Sequence, residues 1–456
     1  MNAGTTHVDI TPLAGMHTFE KNSLTQLHWR TAIDPLYAKV LVLESDGVKA
    51  CIISADINAI DNRCRDEFRA AASKLGIAPE ATICHALQNH SCPQMGYPRD
   101  FLKCHREPAD LWEKLTEGDT AYREFAMSRI IDAMAQANAN LAPASLGAAS
   151  GVEGRVAWNR RMVTKSGEVQ MPLFMDPKLA RHLEAPIDPE LGVVSIQGES
   201  LAPLALLVNY TCHPVNLHPY RMEHIISADW PGALSRELKT IYGDACTPLV
   251  LNGACGDVNP WDPWDPDFVR DHLRMGRILA RTAELTIDEI TYTPDVAIDY
   301  CTRVIDIPWR SEPGADLDAA LAYMEQHPEP IFSDERKVAI DQEWMLHAWR
   351  VETHERAKQD VTYGYEIQVL RLNDVAIVCV PGEPFAELGL AIKRGSRAGL
   401  TYVVHMPVWP DPCYIPTPDA FENGGYETGP RMAQLDRNAH HQIVDAAIET
   451  IADLFA

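Results

Sequence analysis

Apolar positions along the chain follow two rhythms that alternate from one end to the other. Short β-branched runs such as 37–44 (YAKVLVLE), 48–55 (VKACIISA) and 81–87 read as strands, the first two paired across a turn at Asp46 and Gly47. Between such runs, apolar residues recur at helical spacing, as with Phe68, Ala71, Ala72 and Leu75 on one face of a predicted helix over 62–75. Further helices are expected over 119–140, 231–242 and 267–285, after Pro384, and from about Pro430. Further strands are expected over 193–197, 204–210, 365–372, 375–380 and 401–405, with a strand-to-loop junction at 249–259. The segment 316–358 reads as helical throughout, and its Glu, Gln, Arg and Trp content predicts a helical hairpin or insertion on the surface of the core. This alternation specifies an α/β fold, a mixed β-sheet core flanked by helices, rather than a bundle or a sandwich. No internal repeat is legible. No Gly/Ser-rich or Pro-rich linker and no charge block marks a boundary, so residues 1–456 are expected to form a single catalytic domain.

Composition narrows the function classes. With 46% hydrophobic and 23% charged residues the chain has ample material for a large core. A formal net charge of -24 sets a field against phosphate backbones and anionic lipid surfaces, which argues against nucleic-acid and membrane partners and leaves a small molecule as the expected substrate. Residues 1–10 (MNAGTTHVDI) lack the basic and apolar regions of a secretion signal, and no run reaches membrane-spanning length, so a cytoplasmic location is expected. Eleven cysteines without a CxxC pair fit small buried hydrophobes better than a disulfide framework. Oligomeric state is not legible.

Four loops carry metal-competent side chains, three of them directly after an apolar strand, where a rigid sheet can aim them. They are Gln88-Asn89-His90-Ser91, His213 in the run YTCHP, Glu383 in PGEPF and Tyr414 in CYIPT. Two imidazoles and a carboxylate make a zinc-type catalytic set that leaves a position open for water, and a phenol oxygen would supply a further ligand. Taken singly each has an ordinary explanation: a histidine after a strand is usually a hydrogen-bonded structural residue, a Glu at a helix start a cap, a Tyr beside Pro a packing element. With no HExxH helix, any ligands must converge from distant loops.

The motifs VDITP (8–12), SAD (54–56), NHSCP (89–93), HPV (213–215), SAD (227–229), NGACGDVNP (252–260), PGEPF (381–385), CYIPT (413–417) and GYE (425–427) occur in the order found in the neutral ceramidase-like family, which the chain resembles from its first residues to its last helix. The resemblance implies a zinc amidase whose metal is held by two histidines, a glutamate and a tyrosine. His213, Glu383 and Tyr414 match three of those ligands. The family's first histidine position is occupied here by Gln88, and His90 matches the second histidine of that string, close to the catalytic water. Asn259 stands where ceramidases carry a serine. On this resemblance no counterpart of the C-terminal sandwich domain of secreted ceramidases is expected.

On this reading the chain is a metal-dependent hydrolase of an amide or ester bond in a small soluble substrate, zinc or another divalent ion being the cofactor. His213, Glu383 and Tyr414 bind the ion, with His90 or Gln88 completing the set; His90, Asp257 and Asn259 are catalytic. Gln88, Asn159, Arg160 and Arg161 face the substrate, since guanidinium forks suit carboxylates and hydroxyl-rich groups, and Asp56 and Asp229 support the site from behind. The departures at Gln88 and Asn259 keep two other classes in view: a metal-dependent lyase or isomerase acting on a sugar-like molecule, and a protein that binds a small ligand without turning it over.

Overall fold

In the computed structural model, the residues described are 1–13, 16, 31–93, 95–96, 109–172, 177–200, 202–217, 225–265, 267–311, 314–329, 331, 341–359, 362–408, 412–430 and 432–456. The core is a mixed α/β arrangement, as the alternating pattern predicts. Its three principal sheets share one plan. The first has the spatial order Thr82–Ala86, Val48–Ala55, Tyr37–Ser45, Asn2–Asp9, with the short Ala142–Pro143 at its edge. The second runs Thr247–Asn252, Pro203–Tyr210, Glu190–Gln197, Ser145–Val152, and the third Leu400–Met406, Val375–Pro381, Thr362–Leu372, Ile298–Pro308. In each, consecutive strands pair antiparallel until the last, which returns parallel to its predecessor at the opposite edge.

A parallel return needs a crossover, and in each case a helix supplies it: Asn62–Ser73, Asp229–Tyr242 and Ala386–Gly395. A second helix then crosses the first two strands of its sheet: Ala109–Ala139, His272–Ile287 and Ala439–Leu454. The chain is thus built of three successive β-β-β-α-β-α units. This corrects the sequence reading of no repeat. The recurrence lies in topology and not in residue identity, because a strand needs only apolar periodicity, which many sequences supply.

The parallel edges meet in the centre of the molecule. Ser54 Oγ of the first unit donates to the Val250 carbonyl of the second at 2.7 Å. Asn209 Nδ2 of the second donates to Val403 of the third at 3.0 Å, and Gln368 Nε2 of the third donates to Thr82 of the first at 3.0 Å. These buried side chains satisfy strand carbonyls that a neighbouring sheet would otherwise leave dry. Alternation along each strand divides the core. Leu206, Val208, Tyr210 and Val250 face the helices of their unit, whereas Ala205, Leu207, Leu249 and Leu251 join the central cluster. Ala376, Val378 and Val403 likewise face their helices, and Ile377, Cys379, Tyr402 and Val404 the centre. Strands buried on both faces explain the unbroken apolar runs of the sequence.

One expectation is met and one changes in detail. Within 316–358 the described residues form a helix pair, Ala315–Gln326 and Gln342–Lys358, sharing a small core of Ala320, Met324, Trp344 and Val351, as a helical hairpin would. The closing helix starts at Ala439 rather than near Pro430, the residues before it being used for contacts with the strand that ends at Pro308. Among the described residues no helix is long and apolar enough to cross a membrane.

Candidate active site

Loops leaving the third and fourth strands of each unit converge at one end of the three sheets. The chain reaches Gln88, Asn89 and His90 directly after Thr82–Ala86, His213 after Pro203–Tyr210, Asp257 and Asn259 after Thr247–Asn252, and Glu383 after Val375–Pro381. Tyr414 follows Leu400–Met406, and a two-residue parallel pairing sets it in register with Glu383.

Glycines make the close approach of these loops feasible. A side chain at Gly256 would meet the Glu383 carbonyl at 2.3 Å, and the Gly256 amide donates to the Pro384 carbonyl at 2.8 Å. Gly382 has φ +86, a left-handed conformation suited to glycine, and a Cβ there would strike the Cys413 carbonyl. The Glu383 amide donates to that same Cys413 carbonyl at 2.7 Å. The NGACG and PGEP motifs are therefore the packing requirements of the carboxylate's backbone.

His213 is fully buried. Its Nδ1 lies 2.5 Å from the Cys255 carbonyl, an atom that can only accept, so the proton sits on Nδ1 and the Nε2 lone pair is presented on the other side. That Nε2 stands 3.4 Å from Glu383 Oε2. The spacing is long for a charge-assisted N–H···O bond, about 2.8 Å, and equals the roughly 3.4 Å that separates two donors about 2.1 Å from one tetrahedral zinc ion. The His90 ring centroid is 5.7 Å from that of His213, and the His90 amide is tied to the Pro214 carbonyl at 3.2 Å. Tyr414 Oη accepts from Arg160 at 3.0 Å, with the guanidinium also 5.3 Å from its ring centroid. Burial pushes the Tyr414 phenol well above its ordinary range, although Arg160 acts in the opposite direction.

Gln88 is completely buried with φ 60, a left-handed conformation costly for a long side chain, of order 1 kcal/mol or more, and maintained only by its surroundings. Its Oε1 lies 3.8 Å from Cys255 Sγ. Among the described residues no group of three or more His, Cys, Asp or Glu side chains is arranged to hold a metal ion. Of the expected donors, the structure brings the His213 and Glu383 side chains face to face, and pairs Tyr414 with Glu383 through the backbone. Desolvation holds the Cys255 and Cys212 thiols far above their ordinary range, so neither is a thiolate nucleophile.

The remaining expected residues divide into two groups. Arg160 belongs to the centre: it reaches Glu427 at 2.7 Å, Tyr414 at 3.0 Å and Asn259 Oδ1 at 3.4 Å. Arg161, expected to face the substrate, is instead wholly inside the protein. It donates to Glu427 at 2.6 Å, to the Gly424 carbonyl at 2.6 Å and to Glu184, which consumes the fork that a substrate would need. Asn159, also expected to face the substrate, donates to Asp257 at 2.6 Å and accepts the Arg161 amide at 3.0 Å. Asp257, expected to be catalytic, takes the Asn159 amide on one oxygen and the Ala386 amide at 2.8 Å on the other, fixing the helix that starts after Glu383. Burial pushes its carboxyl up to about 7.

Asp229 is expected to support the site from behind. With φ 48 it accepts from Asn216 Nδ2 and the Leu217 amide, each at 2.9 Å, and so anchors the chain just beyond His213. Asp56 stands further back, occupied by Lys39 at 2.5 Å and the Tyr37 amide at 2.9 Å; its neighbour Asn58 makes the contact with the site, donating to the Asn89 carbonyl at 3.0 Å. Sequence reasoning missed the anchoring role of Glu427, although GYE was among the quoted motifs. It missed Asp34 altogether.

The sequence matches no family model and no curated protein. Among solved structures it is similar to a ceramidase complexed with C2, at a TM-score of 0.72 and 14% identity over 99% of this chain and 75% of that one. It is similar also to the neutral ceramidase from Pseudomonas aeruginosa, at a TM-score of 0.71 and 14% identity over 99% of this chain and 74% of that one. The fold is accordingly neutral ceramidase-like.

Proposed function

We propose that the chain is a metal-dependent hydrolase, zinc being the expected ion, that cleaves an amide or ester bond in a small soluble substrate other than ceramide. The observation that carries this reading is the facing pair His213 Nε2 and Glu383 Oε2, two electron-pair donors at 3.4 Å in a buried site beside the Tyr414 phenol. The fold shared with ceramidases supports it.

A divalent cation held by His213, Glu383, Tyr414 and the Gln88 amide would supply Lewis acidity toward a carbonyl oxygen and acidify water. The protein's own residues supply the rest. His90 is partly exposed beside His213, at a place suited to take a proton from a water nucleophile and return it to the leaving group. Arg160 fixes the Tyr414 oxygen and Asn259 at once and brings a positive charge to the centre, where negative charge develops during acyl transfer. Asp257 and Asp229 hold the backbone segments that carry Glu383 and His213.

Gln88 favours attention to a second reading, binding without turnover, because an amide oxygen is a weaker zinc donor than an imidazole. Metal analysis of the purified protein with a hydrolysis panel of simple amides and esters separates the two. Stoichiometric zinc with chelator-sensitive product release is the expected result. Ligand binding retained by a protein that takes up no metal on reconstitution would overturn the hydrolase reading.

A further inference from the structure

Behind the loop that carries His90 lies a second polar cluster, centred on a residue that no motif marks. Asp34 sits between the Asn2–Asp9 and Tyr37–Ser45 strands of the first unit and is 8% exposed. It gathers three donors from the second unit: the Ser227 hydroxyl, His272 Nε2 at 3.0 Å and the Arg236 guanidinium at 2.9 Å. Burial works against its charge, but the hydrogen bonds from His272 and Ser227 and the charge of Arg236 outweigh it and hold the carboxyl below its ordinary range.

What Asp34 fixes is Ser227, and Ser227 brackets His90 from both sides. The Ser227 amide donates to the Ser91 carbonyl at 2.9 Å, and its carbonyl accepts from Asn89 Nδ2. The same hydroxyl that Asp34 holds accepts the Asp229 amide at 3.0 Å, and Asp229 anchors Asn216 and Leu217 beyond His213. Ser91 Oγ closes the arrangement by donating to the Leu217 carbonyl at 2.9 Å. Ser227 thus joins the two histidine-bearing loops, its backbone to the His90 loop and its hydroxyl to Asp229, and one carboxylate holds that hydroxyl.

We infer that Asp34 is a positioning residue for this site, acting through Ser227 to fix the His90 loop against the His213 loop. The inference rests on the reading of His90 and His213 as functional groups, but not on a bound ion. Removing the carboxylate would leave the Ser227 hydroxyl to rotate and would relax the clasp around His90.

The test uses the full chain labelled with 15N at histidine, without added metal. The imidazole resonances of His90 and His213 are assigned by their loss in His90→Ala and His213→Ala. In Asp34→Ala and in Ser227→Ala the His90 resonances are expected to shift in the same direction, and the double variant to shift no further than either single one. Asp34→Asn, which keeps an acceptor oxygen for Ser227, is expected to stay close to wild type. His440, in the closing helix, reports intact folding by remaining unchanged. His90 resonances at their wild-type positions in Asp34→Ala, with His440 also unchanged, would overturn the inference. If Asp34→Ala does not fold, Ser227→Ala decides alone, with unmoved His90 signals counting against. A wild-type protein that takes up no zinc in a separate titration removes the hydrolase reading and leaves this comparison intact, because the imidazoles are read without metal.

Discussion

His85 Nε2 accepts the backbone amide of Asn252 at 3.0 Å, joining the last strand of the first unit to the last strand of the second. The His85 ring also lies 5.7 Å from that of His405 in the third, so one buried imidazole touches all three parallel edges just behind the candidate site. Desolvation drives its pKa down to about 3, against a smaller opposing contribution from the His405 backbone. A folded-state value below the unfolded 6.5 means the stabilisation is complete above pH 6.5 and is lost as pH falls toward 3. His85→Gln, which keeps an acceptor, should lower stability at pH 7 by about 1–3 kcal/mol. It should also remove about 1.4 kcal/mol per pH unit of acid sensitivity within that window. Urea unfolding at pH 7, 5 and 4 measures both; parallel acid limbs in the two proteins would refute the assignment.

Asp257 has the opposite sign. Its carboxyl is raised by burial from 3.8 to about 7, so its contribution is complete below pH 3.8 and declines as pH rises through 7. Asp257→Asn should show a shallower fall in stability between pH 4 and 7 than wild type, set against about 1–3 kcal/mol lost at all pH values because Asn159 then faces a second donor. Thermal melts across that range, compared as differences between the two proteins, test the sign.

Arg161→Leu should destabilise the fold by about 3–5 kcal/mol, since it leaves the buried Glu427 carboxylate without one of its two cations. Arg161→Lys should recover only part of this, because an ammonium cannot span Glu184, Glu427 and Gly424 at once. Urea midpoints measure the loss. A substrate-contacting Arg161 would give the contrary pattern, unaltered midpoints with a raised KM.

On the proposed reading, Gln88→His should raise zinc affinity at least tenfold, by replacing a weak amide donor with an imidazole. Histidine tolerates the left-handed backbone found at this position better than most residues do. Competition titration against a chromophoric chelator gives the ratio, and an unchanged affinity would place the Gln88 side chain outside the metal set.

Strands were the most legible elements, because burial on both faces writes itself as runs such as VKACIISA and LALLVNY. The convergence of His213, Glu383 and Tyr414 was anticipated from motif order, whereas the donor engagement of Arg161 was not. Its partners Glu184 and Glu427 lie 23 and 266 residues away, and nothing local distinguishes a paired guanidinium from an available one. Asp34 is silent for the same reason: its bond to Ser227 spans 193 residues and that to His272 spans 238. The threefold recurrence escaped notice because insertions of different length and character separate the first and second strands of each unit, over 10–36, 153–189 and 309–361.

That recurrence has a consequence for how the chain becomes competent. Gln88 and His90 come from the first unit, His213 and Asn259 from the second, Glu383 and Tyr414 from the third. On the proposed reading no two-thirds of the molecule contains a complete centre, so a nascent polypeptide would stay inert until Tyr414 has emerged and the final sheet has docked. A truncated or half-folded product of such an enzyme would be harmless to its substrate pool.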